Sequence, residues 1–105
     1  MPMPTTMVVH MRIHDSGWLR EYSEAVPPLL AEYGAYSFSA GKQVHRLEGT
    51  APPPDRIAVI EFPSREAVEA FMADERYQKY KHMREAGSSS QIFIYPNAVP
   101  ARGFA

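Results

Sequence analysis

Cysteine is absent from the 105 residues. That removes disulfides, thiolate metal ligands and a thiol nucleophile, and it fits a reducing compartment. Charge of one sign is lacking as well: 11 Lys and Arg stand against 12 Asp and Glu, and the basic residues are scattered. Binding a nucleic acid needs clustered cations to neutralise phosphates, so no nucleic-acid partner is expected. No apolar run approaches the roughly 20 residues that span a bilayer. The stretch from Met1 to Met7 has two prolines and neither the basic nor the apolar region of a signal peptide. These absences predict a cytoplasmic protein with no membrane partner. Also missing are a G-x-S-x-G elbow, a G-x-G-x-x-G turn, a G-x-x-x-x-G-K-[ST] loop and a paired-carboxylate motif.

What is present fits one small domain over residues 1–105, with a core from about 7 to 96, a loose lead and a loose Pro/Gly/Ala tail. Met7 to Ile13 alternates apolar and polar residues, the pattern of a half-buried strand. Asp15 and Ser16 are candidate N-caps for an amphipathic helix with Trp18, Tyr22, Leu29 and Tyr33 on one stripe. Pro27 and Pro28 fall inside it and predict a kink or break, and Gly34 is a natural terminator. Ala35 to Ala40 alternates again, and Val44 to Glu48 reads as a hairpin arm or bent extension. Arg56 to Phe62 is nearly continuous apolar sequence, the mark of a central strand. Ser64 caps a second helix, Asp74 a third from Glu75 to Ala86, and Gly87 with three serines reads as a loop. Gln91 to Tyr95 is the last strand.

The order β-α-β-(β)-β-α-α-β predicts an α+β fold: a ferredoxin-like split βαβ with an antiparallel sheet and helices on one face. The other face then needs cover, and in so short a chain a second copy supplies it, so a homodimer is expected.

The segments RIHDSGWLREYSEAVPPLLAEYG, HRLEG, DRIAVIEFPSREAVEAF and ERYQKYKHMREAGSSSQIFIY resemble the family known as domain of unknown function 1330. The resemblance runs from about Val8 to Tyr95 and is most specific at Arg12 to Asp15 and Val59 to Ser64. It implies a protomer of the dimeric α/β-barrel superfamily, with the sheet packed on its twin and the helices outside. That superfamily includes cofactor-independent quinone-forming monooxygenases, polyketide cyclases, lactone isomerases and haem-degrading enzymes. In it, a small apolar ligand usually sits between the sheet and its own helices. The chain departs from the family pattern at three places. It has Ala40, Gly41 and Lys42 where relatives often carry Arg and two glycines, Pro52 to Pro54 where they often carry Trp, and Met72 where a ring is common.

The expected function is a cofactor-independent enzyme, of cyclase, isomerase or monooxygenase type, acting on a small apolar or aromatic metabolite. The alternative is a non-catalytic dimer that sequesters such a molecule. His45 and Glu61 are the candidate bases, the first through a neutral imidazole and the second if burial raises its pKa. Arg84 and Tyr77 are candidates to hold the resulting oxyanion. The competing reading makes Tyr77 a core residue and pairs Arg84 with a carboxylate such as Glu61 or Glu48. Trp18, Tyr22, Tyr36, Phe38, Phe71 and Tyr80 are candidate ligand contacts, because small-molecule cavities are mostly apolar with a few polar groups. No metal is expected: along a straight strand the imidazoles of His10 and His14 stand roughly 13 Å apart, too far to share an ion.

Overall fold

The structure, a computed structural model, describes residues 3–97 and every side chain among them except those of Ser37 and Phe38. In chain order it contains β1 (Thr5–Ile13), α1 (Leu19–Glu32), β2 (Tyr36–Lys42), β3 (Arg56–Phe62), α2 (Arg65–Ala73), α3 (Glu75–Gly87) and β4 (Ser88–Pro96). The strands make one antiparallel sheet in the order β2-β3-β1-β4, with a register shift between Ser37 and Ser39. This is the ferredoxin-like α+β plan that the sequence predicts.

Strand alternation sorts the side chains. Met7, Phe62 and Ile94 turn to the helices and pack with Val26, Leu29, Val68 and Phe71. On the other face Val8 stands opposite Val59 on one side and Phe93 on the other. That second face stays open in the single chain, where Phe93 is 58% exposed and only Phe62 of β3 is fully buried.

Helix ends are set by local chemistry. Gly34, at φ 74°, ends α1 in a Schellman motif: its N–H bonds the Ala31 carbonyl, and the Ala35 N–H bonds that of Leu30. Ser64 Oγ accepts from the Ala67 N–H at 3.1 Å, and Asp74 Oδ1 accepts from the Arg76 N–H at 2.7 Å. Asp74 also ties three helices together. It accepts from the Tyr33 hydroxyl at the end of α1 and from Arg76, whose guanidinium also reaches Glu32 at 3.0 Å. Lys79 and Glu21, 2.8 Å apart, make a second bridge between α1 and α3.

Five local expectations are corrected. The strand β1 begins at Thr5, not Met7, because Thr5 and Thr6 pair with Phe62 and Glu61 and are buried. Asp15 does not cap α1: its carboxylate accepts from the Gly17 N–H at 2.9 Å and shapes the preceding turn, while Trp18 occupies the cap position. Pro27 and Pro28 do not interrupt α1. Both prolines are exposed, and so are Ser23 and Glu24, whose carbonyls lose their intrahelical donors and can turn to water instead. Val44 to Glu48 is not a strand, since β2 ends at Lys42 and Gln43 turns at φ 62°. The serines after Gly87 are not a loop: Ser88, Ser89 and Ser90 pair with Ile13, Arg12 and Met11 of β1. The tail after Asn97 lies outside the described residues.

Candidate functional site

A cavity of about 310 Å³ lies between the helix-facing side of the sheet and the first turns of α1. Val9 and Met11 of β1, Ala40 and Lys42 of β2, and Arg56 and Ala58 of β3 form its floor, and Trp18, Leu19, Tyr22 and Ser23 close it from above. A second space of about 40 Å³ lies deeper and shares Val9 and Tyr22 with the first as wall residues. Phe71, Met72, Tyr77 and Arg84 line it. The inner space has room for an oxygen substituent or a water, not for a ring.

The polar chemistry gathers at this inner end. The Tyr22 and Tyr77 hydroxyls are 3.0 Å apart, so one donates to the other. Arg84 is 6% exposed, and its Nε–H finds no acceptor among the described residues. None of the ion pairs among the described residues includes Arg84, which rules out the expected partners Glu61 and Glu48 there. A buried guanidinium normally has a carboxylate, because removing an unpaired charge from water is costly. Here burial opposes the charge, and the phenol oxygens of Tyr77 and Tyr22 offset it, with Glu85 adding a smaller contribution; the net effect raises the Arg84 pKa. Burial, then the neighbouring Tyr77, pushes the Tyr22 phenol far above its ordinary value, so it stays protonated. Tyr77 packs against Phe71 with ring centroids 4.3 Å apart and ring planes inclined by 35°.

The candidate residues thus divide into two groups. Trp18, Tyr22, Phe71, Tyr77 and Arg84 come together around the two spaces. Tyr80 stands behind them, its ring edge-on to Tyr22 at 6.5 Å. Glu61 and Tyr36 lie on the open face instead, where the Tyr36 hydroxyl donates to Glu61 at 2.7 Å and is held above its usual pKa by that bond. Asn97 Nδ2 donates to the other Glu61 oxygen at 2.6 Å. His45 is exposed in the irregular segment after β2 and lines neither space. The Phe38 side chain lies outside the described residues. His10 rests edge-on against Phe93, and His14 Nε2 is 2.7 Å from Ser89 Oγ. Among the described residues no three His, Asp or Glu side chains converge as metal ligands would.

Sequence reasoning missed Lys42, Arg56 and Gly87. In the sequence Lys42 stands out only as a departure from the family pattern, and Arg56 only as the first residue of an apolar strand. Gly87 matters because Trp18 lies against it: a Cβ there would stand 2.2 Å from the indole Nε1. Of the departures from the family pattern, Ala40 and Lys42 line the cavity and Met72 the inner space. Pro52 is elsewhere, its carbonyl accepting from Arg12 at 2.9 Å.

The fold has close counterparts. The chain is similar to a protein of unknown function from Rhodopseudomonas palustris, at 18% identity and a TM-score of 0.82, covering 95% of this chain and 86% of that one. It is similar to SnoaB, a cofactor-independent oxygenase from Streptomyces nogalater, at 10% identity and a TM-score of 0.70, covering 96% and 99%. HapK from Hahella chejuensis follows at 13% identity and a TM-score of 0.60, covering 96% and 97%. At such identities the likeness shows the fold and nothing finer. None of the curated proteins matches the chain. The family described as Domain of unknown function (DUF1330) matches residues 5–98, most of the chain, and the protein belongs to that family.

Proposed function

We propose that this protein is a cofactor-independent enzyme that binds a small, largely apolar or aromatic metabolite between sheet and helices and stabilises its enolate or phenolate. The observation that carries this reading is the buried Arg84, whose Nε–H has no acceptor and whose guanidinium is in no ion pair among the described residues, beside the bonded hydroxyls of Tyr22 and Tyr77. In the Tyr22–Tyr77 pair one hydroxyl proton is spent on the other oxygen, which leaves one phenolic proton for a ligand. With the Arg84 Nε–H, that makes two donors among the residues that line the inner space. Such a fixed pair, shielded from water, stabilises developing negative charge more than solvent would. An enolate or phenolate is the species common to isomerisation, cyclisation and reaction with oxygen. The similarity in fold to a cofactor-independent oxygenase supports this class.

The test is a chromophoric nitrophenol titrated free and bound. Binding is expected to lower its pKa by about one unit or more, and Arg84→Met to return it to the free value. Equal values free and bound would remove the oxyanion site. The second reading, sequestration without turnover, is favoured by one observation: among the described residues no carboxylate or imidazole lines either space. Oxygen consumption or product formation with an acidic polycyclic phenol separates the two.

The same proposal includes a cytoplasmic homodimer. The exposed Phe93, Tyr95 and Tyr36 on the open sheet face support a twin packed there. No helix among the described residues is long and apolar enough to cross a membrane.

A further inference from the structure

Lys42 and Arg56 are direct partners across β2 and β3, so their side chains leave the same face of the sheet side by side. That face is the cavity floor, and both residues line it with Ala40 and Ala58, the next pair on the same face of the ladder. Lys42 is exposed and Arg56 half-buried, which places them at the solvent-facing rim. Like charges directly opposite in a sheet are destabilising, and a nearby carboxylate usually relieves them. Here none does: no ion pair among the described residues includes either cation. The adjacent Asp55 is turned away, its carboxylate accepting from the Ile13 N–H at 2.7 Å. The rest of the lining is apolar apart from Ser23 and the Tyr22 ring. Its volume, about 310 Å³, is at the lower end of the range of small-molecule pockets, roughly 300–1,000 Å³.

We infer that the natural ligand is an amphiphilic anion. Its apolar ring body lies against Trp18 and Met11, and an anionic head such as a carboxylate is gripped by Lys42 and Arg56 at the rim. The ligand is then read at both ends, the head by the paired cations and an oxygen substituent by Arg84 and the tyrosines. This rests on the cavity being a ligand site, as proposed above, and adds the charge at the outer end.

The chain has one tryptophan, Trp18, and it lines the cavity, so its fluorescence reports occupancy. Three probes would be titrated: a hydroxynaphthoic acid, its carboxamide and the parent naphthol. The acid is expected to bind about tenfold more tightly than the carboxamide, a preference that weakens as salt is raised. Lys42→Met with Arg56→Met is expected to abolish the preference and leave naphthol affinity within about twofold, which also shows that the variant is folded. Equal affinity for acid and carboxamide, or a preference that survives the double substitution, would overturn the anionic head. The two readings fail separately: Arg84→Met acts on the bound phenol's pKa, the rim substitutions on the head-group preference. Absence of any probe binding to the unaltered protein would remove the cavity as a ligand site and both readings with it.

Discussion

At Gly87 the last turn of α3 passes so close to Trp18 that no side chain fits between them. The indole is buried, and its N–H has no acceptor among the described residues, so its position is set by packing alone. Gly87→Ala is therefore expected to destabilise the fold by about 1–3 kcal/mol, as overpacking does. It should also push Trp18 off the cavity wall and shift its emission to the red. Urea unfolding and an emission spectrum check both effects, and an unchanged spectrum would mean that the backbone yields instead. Side chains whose neighbours lie close in sequence, such as Ser64 and Asp74, were legible as caps. The solitary state of Arg84 was not, since it depends on which carboxylates three separate elements bring near.

Among the elements, the junction of α1, α2 and α3 turns on Asp74. Bonds from Arg76, then from Tyr33, hold its carboxyl well below the usual carboxylate range. Lowered in the folded state, that pKa gives stability that is fully present above the ordinary carboxylate range and fades as pH falls below it. Asp74→Asn keeps a capping side chain but loses the charge. The variant is expected to unfold at lower urea than the unaltered protein near neutral pH. The gap begins to narrow only once pH falls below the ordinary carboxylate range, and narrows further toward the much lower folded-state pKa. A gap that stays constant with pH would assign the effect to geometry rather than charge. Periodicity located every element, but some of its limits were decided elsewhere. Pro27 and Pro28 sit mid-helix without breaking it because the bonds they remove lie on the wet side. The serines after Gly87 become strand because β1 offers them partners, which no local pattern encodes.

At the scale of the whole molecule, the open sheet face is what one chain leaves unfinished. Phe93, 58% exposed, lies on it opposite Val8, and Tyr95 and Tyr36 are about half exposed. With a twin on this face, a carboxylate at Phe93 would be taken from water with only the His10 imidazole beside it, a cost of several kcal/mol. Phe93→Glu is accordingly expected to convert a dimer to a monomer at micromolar concentration, read by light scattering on a sizing column. A monomeric unaltered protein would end the barrel proposal, yet would leave the cavity intact, since the sheet and α1 of one chain line it.

Alternation and helical spacing depend on neighbours within a turn or two, so residues 3–97 carried their own α+β order in plain view, and with it the ferredoxin-like sheet. Charge and hydrogen-bond partnership depend on distances across the fold. Tyr22 and Tyr77, 55 positions apart, meet at 3.0 Å. Glu61 and Tyr36 turn to the face opposite the cavity, while Lys42 and Arg56 come side by side on its floor. In a strand a shift of one residue reverses the face, so membership of the site was decided by register and packing, which only the folded chain provides.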